Sequence, residues 1–304
     1  MSSYSEITLP RTLPSLRSAT LTLCLAEARP AVLVIFLVRF LAGTAMVSAA
    51  IPVGEVAAGA FAWVCATFFV YLLNGATDVA EDQANGSRRP IASGRLSVAT
   101  ATRVAWTAAV VALAVSLCLN RYLALLTVLM LVLGYAYSGR PIALKRWSAA
   151  SSAVTFAGGL LTYLAGFEMS EVALGAPVVV LAVIMSAWMG LVGIVVKDLS
   201  DVTGDRAVGR RTIAVRRGMP FARRVVAANA LLVGGSFIVL AATVAPSLWC
   251  PAVILGAGAA GVAVSVLTGH SRGAQRSRLR RPYRVFMVTQ YAAHAGLFAA
   301  VLLG

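Results

Sequence analysis

Apolar residues do not alternate with polar ones along this chain; they gather into long runs, each closed by a short charged stretch. A helix needs roughly 20 consecutive apolar residues to cross a bilayer. Such runs fall at 30–52, 55–77, 98–118, 120–137, 148–167, 173–197, 221–245, 247–268 and 284–303. The pattern predicts an all-α fold, a polytopic membrane bundle of about nine transmembrane helices. No polar stretch between the runs is long enough to fold separately, so residues 21–304 read as one membrane domain. Residues 1–20 are polar and contain Pro10, Arg11, Pro14 and Arg17. They lack the basic–apolar–small order of a cleaved signal peptide and read as an amphipathic or disordered cytoplasmic N-terminal segment.

Composition agrees with the pattern: 60% of residues are hydrophobic and 12% charged. The net charge of +15 raises the question of a nucleic-acid partner, and its distribution answers it. Arg88, Arg89 and Arg95 follow the second run, and Arg140, Lys145 and Arg146 the fourth. Arg206, Arg210, Arg211, Arg216 and Arg217 follow the sixth, and Arg272, Arg276, Arg278, Arg280 and Arg281 the eighth. These are alternate loops on one side of the membrane, whereas the opposite loops hold little beyond Glu55, Arg121, Glu168 and Glu171. The positive-inside rule makes the basic side and the N-terminus cytoplasmic. The charge is topological, suits anionic lipid headgroups, and argues against nucleic acid. Cys24, Cys65, Cys118 and Cys250 stand singly in apolar surroundings, without metal-ligand or disulfide spacing, and His270 and His294 are too far apart to form a site.

Two stretches break the chain's avoidance of acid. In "NGATDVAEDQANGSRRPIASG" Asn74, Asp78 and Asp82 recur at i, i+4, i+8; in "KDLSDVTGDRAVGRRT" Asp198, Asp201 and Asp205 recur at i, i+3, i+7. On a helix each set would line one face, where like charges repel. A cation is needed, either arginine partners, which would make these ordinary salt-bridged helix ends, or a divalent metal. Clustered carboxylates too few for a closed cage suit Mg²⁺, which keeps waters and takes substrate phosphate oxygens. Arg88, Arg89, Arg206, Arg210 and Arg211 then meet the remaining phosphate charge. Four runs separate the clusters, so both face the same side, unlike the mid-membrane sites of inverted-repeat transporters. A third element on that side, "YAYSGRPIALKRW", carries Tyr137, Arg140, Lys145 and Arg146. The chain's only lysines, Lys145 and Lys197, both abut these loops.

With these elements in hand, the sequence resembles the UbiA superfamily of intramembrane prenyltransferases. NGATDVAED is similar to that family's NxxxDxxxD, YSGRPIALKR to its YSxxPxxLKR, DVTGDRAVGRRT to its DxxxD with a trailing G-x-x-[ST], and RRPIASGRLS to its NRPLxSGxxS. The resemblance implies a helical bundle around a central cavity, with a polar cap on the cytoplasmic side and Mg²⁺-dependent use of an isoprenyl diphosphate. It implies Asn74, Asp78 and Asp82 as ligands of one metal ion, and Asp201 and Asp205, preceded by Asp198, as ligands of another. It assigns Asn74, Arg89, Lys145, Arg146 and Lys197 to the diphosphate, and catalysis to Asp78, Asp82, Asp201, Asp205 and Lys145. Two positions depart from the pattern: Gly75 stands where many members carry a second acid, and Ser87-Arg88 replaces the usual residue before Arg-Pro.

The expected reaction is ionisation of the allylic diphosphate, helped by preorganised cations, with capture by an aromatic acceptor in a water-excluding cavity. Phe68, Phe69, Tyr71 and Tyr137 are candidates to face the carbocation. The runner-up is a membrane terpene cyclase using the same ionisation without an acceptor; a cation transporter is disfavoured because the acids sit at helix ends. Arg39 is the one charge deep in a run, and such residues are functional by default. The bias to Arg over Lys, with much Ala and Val, points to a GC-rich bacterial genome and hence a plasma-membrane enzyme.

Overall fold

The computed structural model describes residues 16–47, 51–170, 172–269 and 276–303. The N-terminal segment through residue 15, Glu171, His270 and Arg272 lie outside them. The chain enters through α1 (Leu16–Glu27), an amphipathic helix with Cys24 and Glu27 buried and Leu21 and Leu25 exposed. After Arg29, in the left-handed region at φ 60°, α2 (Pro30–Ala45) departs at 74° to α1. Then follow α3 (Val53–Thr77), the short α4 (Val79–Ala84), α5 (Val98–Leu119), α6 (Arg121–Ser138) and α7 (Ser148–Phe167). The helix α8 (Ala176–Ala187) runs through a π-helical turn, Trp188–Gly193, into α9 (Ile194–Asp198). Two short helices, α10 (Val202–Ala207) and α11 (Ile213–Arg217), lead to α12 (Met219–Thr243), α13 (Trp249–Leu267), α14 (Arg276–Leu279) and α15 (Arg281–Leu303).

Eight of these helical units are individually long and apolar enough to span a membrane, and α2 joins them only when counted with α1 across the bend. Each apolar run of the sequence therefore has its helix. Side-chain caps mark starts that hydropathy alone leaves vague: Ser97 accepts from Thr100 N at α5, and Asn120 from Tyr122 N and Leu123 N at α6.

Packing explains the choice of side chains. Trp63, Trp188, Phe40, Tyr163 and Phe237 are fully buried, while Val110, Leu117, Leu232, Val264 and Val288 stand on outer faces. Outward apolar faces are what lipid requires, since helices satisfy their own backbone. α2 and α7 approach closely because Gly43 faces the Tyr163 carbonyl and Gly166 the Phe40 carbonyl, where a Cβ would collide.

Arg39 is wholly buried, does not snorkel, and among the described residues pairs with no acid. Its Nη2 donates to Gln290 Oε1 at 2.7 Å, and its guanidinium lies 5.8 Å from the Phe36 ring centroid and 6.0 Å from that of Tyr163. The Tyr163 hydroxyl meets His294 Nε2 at 2.7 Å, and His294 Nδ1 meets the Gln290 carbonyl at 2.6 Å. A carbonyl only accepts, so Nδ1 carries the proton and Nε2 accepts from the tyrosine.

Between α2, α3, α6, α7, α9 and α15 lies a cavity of about 1050 Å³, counted out to its mouth. Val32, Ile35, Met130, Leu133, Met189 and Met287 give it apolar walls, and the mouth is polar.

Candidate active site

The acids expected to share helix faces are instead arranged about two helix breaks. α3 stops at Thr77 and α4 starts at Val79, with Asp78 between them at φ −99°, ψ 11°. α9 stops at Asp198 and α10 starts at Val202, with Asp201 at φ −114°, ψ 8°. Both middle acids occupy the sparsely allowed bridge region, where many active-site residues sit. Each break turns the following short helix, α4 or α10, across the end of the bundle, and these two helices pack on each other.

The two loops are one local pattern written twice: DVAEDQANGS at 78–87 and DVTGDRAVGR at 201–210. In each, the third acid's amide bonds the first turn (Asp82 N to Asp78 O, 2.8 Å; Asp205 N to Asp201 O, 2.9 Å). In each, a left-handed glycine ends the short helix, Gly86 at φ 62° and Gly209 at φ 69°. The residue after it then donates back to the third acid's carbonyl (Ser87 N to Asp82 O and Arg210 N to Asp205 O, both 2.8 Å). This is the C-terminal closure for which glycine is favoured.

The loops interlock where their sequences differ. Asn85 Oδ1 accepts from Gly204 N at 2.9 Å, and a Cβ at 204 would collide with the Asn85 amide. Arg210 crosses the other way. Its Nη2 lies 2.6 Å from Glu81 Oε2 and 3.0 Å from Asp78 Oδ1, and its Nη1 lies 3.6 Å from Asp205 Oδ1. One guanidinium thus clamps both acidic loops.

Lys145 arrives from the third element. The segment after α6 turns through Ala143, at φ 40°, into a 3₁₀ turn (Leu144–Arg146) that buries Lys145. Its Nζ lies 2.6 Å from Asp78 Oδ1 and donates to Thr77 Oγ1 at 2.6 Å. Asn74 Nδ2 donates to Asp78 Oδ2 at 2.8 Å, and Asn74 Oδ1 accepts from Ser138 at 3.1 Å. Asp78 therefore has a cation or amide on both oxygens. Burial acts to raise its pKa, but Lys145 and Arg210 outweigh it and hold the carboxyl below the usual range. Burial lowers Lys145, with Asp78 opposing. Glu81, buried beside the Asp78 charge and sharing Arg210 with it, is pushed up to about 7.

The second loop is less well compensated. Lys197 Nζ stands 3.4 Å from Asp201 Oδ2 and 3.9 Å from Asp198 Oδ1. Asp205 is fully buried, and among the described residues neither of its oxygens makes a hydrogen bond, Arg210 Nη1 standing 3.6 Å from Oδ1. Burial raises its pKa, against the pull of Lys197 and Arg210.

Not every expected residue reaches the mouth. Asn74, Asp78, Lys197 and Arg210 line the cavity, as do Tyr71 and Tyr137. Arg146 does not: successive residues of a 3₁₀ turn point in different directions, and with Lys145 inward the Arg146 side chain is exposed. Its carbonyl instead accepts from Arg211 N at 2.8 Å. Arg89 is held by Asp82 Oδ2 at 2.6 Å and Glu27 Oε1 at 2.8 Å, and Arg88 is exposed. Phe68 and Phe69 face away from the cavity, toward α5, with Phe69 4.9 Å from the Trp106 ring. Phe36, Tyr283 and Phe286 line the cavity unannounced by any motif.

Sequence reasoning also missed Glu27. Its buried carboxylate, from α1, takes the Ile91 amide at 2.9 Å and occupies the space beside Gly75. A Cβ at 75 would meet Glu27 and Arg89. The position at which the motif lacks an acid is filled by an acid from another helix. A buried glutamate one turn before a Pro-initiated span was the available signal.

An apolar cavity within a helical membrane bundle, capped by paired acids and bases on two loops, defines an integral membrane protein with an apolar chamber that is polar at its mouth. Residues 31–289 match the UbiA prenyltransferase family, and the chain belongs to that family. It is 28% identical over 190 residues to a homogentisate phytyltransferase of Synechocystis sp., covering 59% of this chain and 60% of that protein. The chain thus spans about three fifths of that relative's length. It is also 28% identical over 258 residues to a digeranylgeranylglyceryl phosphate synthase of Methanothermobacter thermautotrophicus, covering 77% and 84%. The fold is similar to that of a UbiA homolog from Archaeoglobus fulgidus bound to DMAPP and Mg2+, with a TM-score of 0.69 at 16% identity over 92% of this chain and 99% of that one.

Proposed function

We propose that this protein ionises an isoprenyl diphosphate with the help of Mg²⁺ and transfers the prenyl group to an aromatic acceptor, releasing pyrophosphate. The observation that carries the reading is the cavity mouth, where Asp78, Lys197 and Arg210 line the chamber above apolar walls, with Glu81, Asp82, Lys145, Asp198, Asp201 and Asp205 buried in the cap around them. Such a mouth takes a charged head, and such walls take a hydrocarbon tail.

The donors fit Mg²⁺. All are hard oxygens, and the unbonded carboxylate of buried Asp205 is an orphan that a cation would satisfy. Among the described residues no three acids stand close enough to cage an ion by themselves, which suits an ion completed by water and diphosphate oxygens. Asn74, Asp78 and Asp82 would hold one ion, and Asp198, Asp201 and Asp205 the other. When bound, the metal supplies positive charge against the leaving diphosphate. Lys145, Lys197 and Arg210 add fixed charge on the same side; Arg89 is engaged by Asp82 and Glu27, and the Arg146 side chain is exposed. Ionisation breaks the bond between the allylic carbon and the diphosphate oxygen. Apolar walls exclude water from the resulting cation, and the rings of Tyr71, Tyr137 and Phe36 offer it π faces. An electron-rich ring carbon of the acceptor forms the new bond, and a ring proton leaves.

An aromatic acceptor is supported by the relative named homogentisate phytyltransferase. The basic loops at the cap support a cytoplasmic orientation. To test the proposal, membranes carrying the protein are incubated with Mg²⁺ and isoprenyl diphosphates of graded length, with and without phenolic acceptors. The expected result is pyrophosphate with a prenylated phenol. Cyclic hydrocarbon formed without acceptor would make it a terpene cyclase, and no pyrophosphate under any condition would sink both readings.

A further inference from the structure

A second concavity, separate from the reaction chamber, lies on the lipid-facing side of the cap. It spans about 1610 Å³, open solvent included, between the start of α7, the π-helical turn, α11 and the start of α12. Its rim carries Arg211, Arg216 and Arg217, and no acidic residue lines it. Among the described residues none of these three arginines takes part in a carboxylate ion pair. Two are laid on aromatic faces: the Arg211 guanidinium is 4.7 Å from the Trp147 ring centroid, and that of Arg217 5.6 Å from Phe221. Stacking fixes their planes while leaving the N–H edges open to an anion.

The start of α7 adds a second receptor at the same rim. Trp147 precedes the helix and makes no side-chain cap, so the first-turn amides lack intrahelical partners. The Ser148 hydroxyl, on the groove lining, has no hydrogen-bond partner. An uncapped helix N-terminus next to three free guanidinium groups favours a phosphate. Below the rim the lining turns apolar, with Ala149, Ala153, Phe156, Leu191 and Val195. The groove follows α12 from Phe221 to Asn229, about 12 Å at the rise of an α-helix, and Asn229 Nδ2, bonded to the Leu191 carbonyl at 2.8 Å, stands at its deep end.

A phosphate receptor at cap level, continuous with an apolar channel into the bilayer, has the polarity of one phospholipid. We propose that this groove binds an anionic phospholipid of the surrounding membrane, its phosphate at Arg211, Arg216, Arg217 and the α7 start, and an acyl chain along Ala153 and Phe156. The site reports to the reaction chamber. Arg211 N donates to Arg146 O, and the neighbours of these residues are Arg210 and Lys145, the two cations on Asp78. A lipid seated against Arg211 and Trp147 therefore braces the backbone bridge between the two segments that present both.

The full-length protein, in nanodiscs of mixed phosphatidylglycerol and phosphatidylcholine, is released and its retained lipid counted by native mass spectrometry. Wild type is expected to keep phosphatidylglycerol in preference to phosphatidylcholine. Arg216→Gln with Arg217→Gln should lower that retention about 30-fold, at roughly a factor of five per basic residue facing an anionic lipid. Ala153→Trp, which fills the apolar channel and leaves every charge in place, should lower it too, and carries the test if the double variant does not fold. Arg95→Gln with Arg103→Gln, equal in charge but outside the groove, should not. Equal retention of both lipids by wild type, loss in the Arg95/Arg103 variant as large as in the Arg216/Arg217 variant, or unchanged retention in both groove variants overturns the proposal. So does displacement of the lipid by inorganic phosphate or by an isoprenyl diphosphate, which would make the rim a soluble-anion or substrate site.

Discussion

The loops 78–87 and 201–210 have the same backbone plan and opposite electrostatic states. Both place an acid at a helix break, both close on a left-handed glycine, and both return an amide to the third acid's carbonyl. The first loop is neutralised from within, since Asp78 meets Lys145, Arg210 and Asn74, and Asp82 meets Arg89. The second keeps Asp205 buried without a hydrogen bond and Asp198 no nearer than 3.9 Å to its lysine. Burying charge is tolerable only when it is paired. The first loop thus presents its acids closely paired, and the second presents them with longer and fewer cation contacts. Arg210 belongs to the second loop by sequence and to the first by contact, which couples the two.

The comparison breaks most visibly at that arginine. Arg210→Met removes the shared partner of Asp78, Glu81 and Asp205, and loss of one member of a buried pair costs about 3–5 kcal/mol. A fall of that size should appear in thermal unfolding of the purified protein, together with loss of turnover; unchanged unfolding would mean the clamp is not structural. Lys145→Ala comes next and should act mainly on chemistry. Charge on the leaving oxygen grows as the bond breaks, so the contact strengthens in the transition state. Removing one preorganised donor costs about 10²–10³ in rate, or roughly 3–4 kcal/mol. A kcat within about threefold of wild type, less than 1 kcal/mol of barrier, would leave this lysine a purely structural partner of Asp78.

Gly75→Ala tests the packing under the first loop. The new methyl meets Glu27 and Arg89, and overpacking of this kind costs about 1–3 kcal/mol. A melting temperature equal to wild type would show that α1 yields freely. The smallest effect sharpens the contrast most. Asp205→Asn neutralises a buried carboxylate whose nearest cation, Arg210, stands 3.6 Å away, so without Mg²⁺ stability should change by less than about 1 kcal/mol or rise. Mg²⁺ should stabilise wild type and not this variant in a thermal-shift titration. A loss as large as that from Asp78→Asn would mean the second loop is as internally paired as the first.

The spans were legible because each apolar run is long and closed by charge, so the helices follow hydropathy from α3 to α15. The bend at Arg29 and the π-helical turn at Trp188–Gly193 were not, since neither changes hydropathy. At the site, spacing located the acids but implied continuous helix faces, whereas Asp78 and Asp201 sit at breaks. Short-range pattern cannot see a break whose cause is contact with a loop four spans away. Lys145 and Arg146 were both expected at the diphosphate, and the turn's geometry turns only Lys145 inward. Phe36, Phe286 and Glu27 came from elements without a motif, because cavity walls are chosen by shape.

Glu27 also bears on how such chains change over generations. Its carboxylate stands where a side chain at 75 would go, so an acid at 75 and an acid at 27 compete for one volume and one partner, Arg89. Gaining an acid at 75 while Glu27 remains would crowd two buried carboxylates around one guanidinium. Losing Glu27 while 75 stays glycine would leave Arg89 with Asp82 alone and strand the Ile91 amide. Either single step is a valley, and the viable route exchanges both together. Among relatives these two sites should therefore read as alternatives, acid at one and a small residue at the other, although 48 residues of sequence separate them.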